Sequence, residues 1–418
     1  MYPFIISILL IVFAIIATRD FRLAVFLLMA SLPAYLLRLD ILGFPTTMLE
    51  LMVGVVTIFW LINLTKEKKD WSFLKPWLLP IVLLLTAGVI GVVVAPDKTS
   101  ALGIFKAFLI EPIIFFVILR TTLKKFDDAE VALMFLGLGA LLVASFAIFQ
   151  KFTGLSIPIP WDVEGRVTSI FPYPNAVGLY LGPIIILGLG ALSRSLEAEF
   201  YPRAGFWLLV TGLSTVAIFF SQTEAAWLAI PAALLVTRFF INRSRAFAII
   251  LAVPILIISL SVPIFREKIL LQDYSGGVRL KQWSETINML KDNLLFGAGL
   301  SGYQTALEPY HTFKEIEIFQ YPHNIVLNLW TELGLLGLLA FMFFAWQTIR
   351  HFRSAKKIDS PFYWLALACL TALVEMTIHG LVDVPFFKND LAMLTAIIFA
   401  YLSWSATGPY ARQNVEIE

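Results

Sequence analysis

Apolar residues in this chain come in long unbroken runs separated by short polar gaps. That is neither the alternation of half-buried strands nor the three-and-four spacing of a soluble surface helix. Thirteen runs stand out, near 2–17, 21–37, 46–64, 76–95, 100–119, 129–150, 175–193, 205–221, 224–241, 246–263, 324–349, 362–380 and 389–405. About 20 mostly apolar residues cross the hydrocarbon core as a helix. The pattern therefore predicts an all-α fold, a polytopic membrane bundle of about 12–14 transmembrane helices. The first two runs are short and separated only by Thr18-Arg19-Asp20, so they make either two spans or one broken hairpin. The short alternating segments of a membrane barrel are absent. Without an internal repeat, 1–418 reads as one integral membrane domain.

The polar gaps set an orientation. Lys and Arg concentrate in alternate gaps, from Arg19 and Arg22 through Lys66, Lys68, Lys69, Arg120, Lys124, Arg194, Arg238 and Arg243 to Arg350 and Lys356. Short loops rich in these residues stay in the cytoplasm. The segments 151–174, 264–323 and 381–388 are then expected outside, and the tail 407–418 inside. The segment 264–323 is the large extracytoplasmic loop. Within it Leu280, Trp283, Ile287, Leu290 and Leu294 recur with the period of an amphipathic helix. Ser275-Gly276-Gly277 precedes that helix, and Gly297, Gly299 and Gly302 follow it. It is expected to lie on the outer membrane surface.

Composition narrows the class. Hydrophobic residues make up 59% and charged residues 14%, against about 25% charged in a soluble domain. Mean hydropathy is +0.84. A multi-domain soluble enzyme and a disordered chain are excluded. A net charge of +2 gives no reason to expect nucleic acid. The single cysteine, Cys369, has no partner for an internal disulfide and says nothing about redox compartment. The run from Tyr2 to Ala17 has neither a basic lead nor an A-x-A site, and reads as a retained helix.

Ionisable groups at membrane depth are costly and mark functional positions. Three groups stand out. His323-Asn324 sits where the long loop enters a span, with Asn324 placed to cap the helix and Asn328 and Glu332 continuing one stripe. An imidazole suits proton abstraction near neutrality; a satisfied interfacial histidine is the plainer alternative. Glu375, His379 and Asp383 follow at four-residue spacing. One helix face presenting them could orient a base, bind a sugar hydroxyl, hold a metal or simply join helices. Arg166 and Arg279 fall on the expected outer side, against the positive-inside bias. A guanidinium grips phosphate oxygens in pairs, although snorkelling to headgroups also places arginine there. All three groups gather at one face of the membrane.

His323-Asn324, nine residues, then Gly334-Leu335-Leu336-Gly337 resembles the signature of the bacterial O-antigen ligase and O-antigen polymerase family. Arg166 to Gly178 resembles the family's R-x-x-x-x-F-x-x-P-N-x-x-G stretch, which includes Asn175. Arg279 to Gly299, with Trp283, resembles the helix of its long loop, and Asp383 its last periplasmic loop. The ordered matches run from about residue 160 to 390. The resemblance implies a glycosyltransferase of the bacterial inner membrane, its active site facing the periplasm. It implies a donor glycan on undecaprenyl diphosphate and a glycolipid acceptor such as lipid A-core, or a growing polysaccharide. It also implies inverting transfer without metal or other cofactor. His323 would be the base. Arg166 and Arg279 would bind the diphosphate, and Asp383 would orient the histidine or support the acceptor. Asn324, His379, Glu332, Asn175 and Trp283 are the further candidates for substrate contact.

One departure is visible. Many relatives show Ser-Arg-Gly after the eighth span, and here the text is Ser221-Gln222-Thr223-Glu224. Ligase and polymerase differ only in acceptor, and these residues do not separate them. The alternative outside the class is a lipid-linked glycan flippase. A transporter favours repeated halves and polar sites at the bilayer midplane, and neither is apparent.

Overall fold

The computed structural model describes residues 2–41, 43–64, 70–241, 261, 263–357 and 362–407. The expected span near 246–263 falls almost wholly outside the described residues, as does the tail beyond Thr407. The rest is helical apart from one short antiparallel hairpin, β1 (Arg38–Ile41) with β2 (Phe44–Thr47), pairing Arg38 with Thr47. That hairpin sits in a polar gap that the apolar pattern leaves blank.

The first apolar runs form α1 (Tyr2–Arg19) and α2 (Phe21–Ala30), parted only by Asp20, whose carboxylate caps α2 by accepting from Leu23 N at 3.0 Å. A 3₁₀ turn at Leu32–Leu36 completes this part. Next come α3 (Met48–Leu64), α4 (Lys75–Val94) and α5 (Lys98–Ile104), which passes through a π segment, Phe105–Ile110, into α6 (Glu111–Thr122). α7 (Phe126–Thr153) stops at Gly154, where φ is +68°, a conformation open to a residue without Cβ. α8 (Asn175–Glu197), α9 (Tyr201–Ser221) and α10 (Glu224–Ile241) follow. Seven described helical segments are long and apolar enough to cross a membrane, and four shorter apolar helices accompany them. Large side chains such as Ile58, Val82, Leu142 and Leu208 remain exposed on the outside of the bundle. An apolar periphery of this kind is what a lipid-facing surface requires. The core packs Trp77, Phe115, Tyr180, Tyr401 and Trp404 fully inside.

The described residues of the long segment after α10 form three α-helices, α11 (Pro263–Ile269), α12 (Tyr274–Asp292) and α13 (Tyr303–Leu307). α12 is the expected amphipathic helix, and its expected stripe divides. Leu280, Ile287 and, just past the helix, Leu294 are exposed, while Leu290 is buried with Gln282, Glu285, Thr286 and Met289, and Trp283 is half-buried. The exposed part suits an apolar side resting in lipid.

α14 (Ile325–Lys357), α15 (Tyr363–His379) and α16 (Asn389–Thr407) close the fold. α14 is interrupted at Gly334, with φ +65° and ψ −169°. The glycine turn after α12 docks at this break. Ala298 N donates to Thr331 O at 2.7 Å, and Leu335 N, freed by the break, donates to Leu295 O at 3.0 Å. The Trp330 indole donates to Leu294 O at 2.8 Å. On the other side Leu300 N donates to Gly91 O of α4 at 3.1 Å. Irregular backbone is tolerated in such a bundle only where protein satisfies it. Gly297, at φ +66°, leaves no room for a side chain: a Cβ there would lie 2.2 Å from Trp330 O.

Gly297→Ala is therefore expected to cost about 2 kcal/mol or more through strain and collision. The fall in thermal midpoint should come with faster proteolysis of the 294–302 turn; a midpoint matching the wild type would refute the wedge.

Candidate functional site

The turn from the long loop into α14 is fastened from three sides. Asn324 Oδ1 accepts from Val326 N at 3.0 Å and Leu327 N at 3.1 Å, the capping role its position suggests. Its Nδ2 donates to Leu381 O at 3.0 Å, and Ile325 N donates to Gly380 O at 2.6 Å. The Trp283 indole of α12 donates to Pro322 O at 2.7 Å. These bonds hold His323 at φ +47°, a left-handed conformation that costs a non-glycine residue about 1 kcal/mol or more. Strain of this kind persists only where the surroundings over-determine it. The imidazole stands edge-on to Phe319, its side chain is 30% exposed, and its Nδ1 lies 3.3 Å from Asp383 Oδ1.

Asp383 is the hub. Its Oδ1 also accepts from Val384 N at 2.9 Å, and its Oδ2 accepts from Asn175 Nδ2 at 3.1 Å. Burial pushes this carboxyl upward, but the hydrogen bond and charge of His323, the charge of His379 and the Val384 amide together hold it well below the ordinary carboxylate range. Asn175 opens α8 directly after Pro174 and turns its Oδ1 to Arg166 Nη2 at 3.2 Å. Arg166 Nε donates to Ser221 O at 3.1 Å and Nη2 to Gln222 O at 3.4 Å. Glu164 lies 3.6 Å from its Nη1, and its guanidinium lies over the Trp161 ring at 5.2 Å. An arginine, an amide, a carboxylate and an imidazole thus form one chain across four segments. At the turn after α9, Arg166 reaches the Ser221 and Gln222 carbonyls from another loop. Lys268 of α11 pairs there with Glu224 at 2.9 Å.

The other expected residues divide. Arg279 is not joined to this chain by a hydrogen bond or ion pair among the described residues. Its Nη1 donates to Ser275 at 2.8 Å, its Nε is buried without a partner, and it lies one helical turn before Trp283. Glu332 is buried and holds the docked turn, accepting from Ser301 N at 2.7 Å. Asn328 is buried one turn earlier, with neither side-chain polar atom bonded among the described residues. Glu375 and His379 do share a face of α15, at 3.3 Å between Oε1 and Nδ1. Asp383 does not continue that stripe. α15 ends at His379, Gly380 caps it, and the turn beyond carries Asp383 across to His323 and Asn175. Among the described residues no three His, Cys, Asp or Glu side chains converge as a metal-ligand set.

Two features escape the sequence reading. Glu285, on the polar face of α12, accepts from Thr312 N at 2.5 Å, Phe313 N at 3.0 Å and Thr312 Oγ1 at 3.0 Å, and meets His311 Nδ1 at 3.0 Å. It latches the loop before His323 onto the helix. Lys388 lies over the Tyr173 ring at 4.0 Å, bringing together the segments that carry Asp383 and Asn175. A lone lysine in a gap otherwise poor in basic residues was the available signal for the second; nothing in spacing marks the first.

A bundle with an apolar periphery and a polar chain gathered at one end defines an integral membrane protein. Residues 209–342 match the family model described as O-antigen ligase. That match supports the O-antigen ligase and polymerase family for this protein. It takes in α9 to the first part of α14, and with them Arg279, Trp283, His323, Asn324 and Glu332; Arg166, Asn175, His379 and Asp383 lie outside it. No curated protein matches the chain.

The Glu285 latch has a pH signature. Burial raises this carboxyl, yet the bonds from His311, Phe313 and Thr312 outweigh it and leave it below its ordinary value. A depressed carboxyl stabilises the fold above its unfolded pKa, about 4.3, and that contribution is lost as pH falls through the folded value. The protection factors of the Thr312 and Phe313 amides, taken against the intrinsic exchange rate at each pH, should fall on acidification below that range in the wild type. In Glu285→Gln they should be low already at neutral pH; equal protection in both would remove the latch.

Proposed function

We propose that this protein transfers a glycan from an undecaprenyl-diphosphate carrier to an acceptor hydroxyl, on lipid A-core or on a growing polysaccharide, at the extracytoplasmic face of the bacterial inner membrane. The observation that carries the reading is the hydrogen-bonded chain from Arg166 through Asn175 and Asp383 to His323. Asp383 accepts the Nδ1–H of His323, which leaves Nε2 as the free base. In the reaction Nε2 takes the acceptor's hydroxyl proton. The acceptor oxygen attacks the anomeric carbon from the face opposite the leaving group, and the bond from that carbon to phosphate breaks. The carrier departs as a diphosphate, and the configuration inverts.

Diphosphate leaves readily once its developing charge is matched, so cations can replace a separate acid. Arg166 and Arg279 are assigned that task. The clamp on Ser221 and Gln222 fixes the Arg166 guanidinium in place, and Arg279, one turn from Trp283, donates to Ser275. Asn175, Asn324, Trp283, Glu332 and His379 complete the proposed contacts and supports. An apolar cavity of about 120 Å³ lies between α4, α6, α14 and α16, lined by Trp77, Phe108, Phe344, Phe386, Phe387 and Phe399. Phe386 and Phe387 belong to the loop that carries Asp383, so the cavity suits the first isoprene units of the carrier.

The test is purified protein in lipid with an undecaprenyl-diphosphate glycan and a choice of acceptors, scored by product mass. His323→Ala should lower transfer by about 10²-fold or more, the usual contribution of a positioned base, with membrane abundance intact. Retained activity would remove His323 from the role. Arg279→Lys should weaken donor use sharply, because an ammonium cannot present the guanidinium fork; donor affinity close to the wild type would make Arg279 a lipid-facing residue instead.

A further inference from the structure

The loop that carries Arg166 displays an apolar ridge. Among the described residues Phe152 is 79% exposed, Leu155 58%, Ile159 83% and Val163 85%. Trp161 N and Asp162 N donate to Pro158 O at 2.9 and 3.3 Å, and Val163 N and Glu164 N to Pro160 O at 3.1 and 3.4 Å. This stretch therefore coils like a helical turn, and Ile159 and Val163, four residues apart, share one side of it.

The exposure does not come from looseness. Gln150 of α7, fully buried, donates through Nε2 to Ser156 O at 2.8 Å and Ser169 O at 2.9 Å, and its Oε1 accepts from Thr168 N at 3.0 Å and Ser169 N at 2.7 Å. Lys151 Nζ donates to Gly165 O at 3.2 Å. Both ends of the loop are tied to the last turn of α7. The same bonds fix its level. From Ala129, where the apolar run begins, to Phe149 α7 rises about 30 Å, the thickness of the hydrocarbon core. Gln150 and Lys151 stand at the boundary of that layer, and so do the loop carbonyls bonded to them. Below them Leu138, Leu142 and Phe149 form the exposed, lipid-facing row of α7. Beside them Phe152 meets Phe220 edge-on at 6.1 Å, and Phe219 stacks on Trp227 at 5.7 Å. Aromatic rings collect in this way where a bundle leaves the bilayer.

We propose that the ridge from Leu155 to Val163 is seated in lipid, in the leaflet on the His323 side, and that this seat sets the depth of Arg166. The ridge continues the lipid-facing row of α7 at the level of the headgroups, so its partner is the membrane surface. Asp162 and Glu164 beside it keep the seat shallow, because a carboxylate resists the hydrocarbon. Arg166 follows the ridge: its backbone N donates to Trp161 O at 3.0 Å, and its guanidinium lies over the Trp161 ring.

The test is Ile159→Cys and Val163→Cys, each carrying a nitroxide, in nanodiscs of phosphatidylethanolamine and phosphatidylglycerol that hold one copy of the full chain. The native Cys369 is buried, so the label goes to the introduced thiol. Lys314→Cys, at an exposed charged position of the long loop, is the water-facing reference. The ratio of oxygen collisions to collisions with a water-soluble nickel chelate should be several-fold higher at 159 and 163 than at 314. It should place both labels within about 5–10 Å of the headgroup boundary. Ratios equal to that at 314 would put the ridge in water and overturn the inference. Immobilised labels that meet neither reagent would mean that protein covers the ridge, and would overturn it as well. The readout uses no glycan, so it stands or falls separately from the proposed function.

Discussion

One carboxylate ties the site together. Asp383 spends both oxygens, one on His323 and Val384 and the other on Asn175. A buried charge of this kind is tolerable only with its partners in place, because each missing hydrogen bond exposes the full desolvation cost. Asn175 then passes the constraint to Arg166, and Arg166 to the turn between α9 and α10. Four segments far apart in the chain are aligned by a single buried anion. Their alignment fails together or holds together.

The scaffold behind that anion is a set of wedges. The loop turn at Gly297–Gly299 fits between the end of α4 and the break in α14 because close approaches at Gly297 and Gly299 leave no space for side chains. Trp283 ties α12 to Pro322, Asn324 ties the start of α14 to the end of α15, and Glu285 binds the loop between them. Strain at His323 is stored within this frame. A residue fixed in an unfavourable backbone region between rigid neighbours presents its ring in one orientation, which a positioned base requires.

Much of the architecture was legible because hydrophobic length is a coarse and strong signal. The apolar runs locate the helices, and Asn324 caps α14 where a cap was expected. The family likeness was legible in His323-Asn324 and Gly334, and the O-antigen ligase match covers that stretch. The path through space was not. A four-residue period put Asp383 on a helical stripe, and the helix stops at His379 before reaching it. The stripe on α12 was real but divided, with Leu280, Ile287 and Leu294 exposed and Leu290 buried, because spacing alone does not say which part of an apolar side meets protein. The small hairpin at 38–47 and the Glu285 latch depend on backbone partners that side-chain patterns do not announce.

The interruption at Gly334 has a consequence for assembly. Ile325 to Leu333 is only nine residues, about 14 Å of helix, too short to cross a bilayer unaided. The Thr331 carbonyl within it and the Leu335 amide just beyond the break find partners in the turn that precedes it in the chain. That half-helix and the turn therefore gain their order at the same moment, as one cooperative unit. Because the ribosome delivers the turn first, it stays without its partner until the half-helix emerges, and the rim around His323 is completed only then.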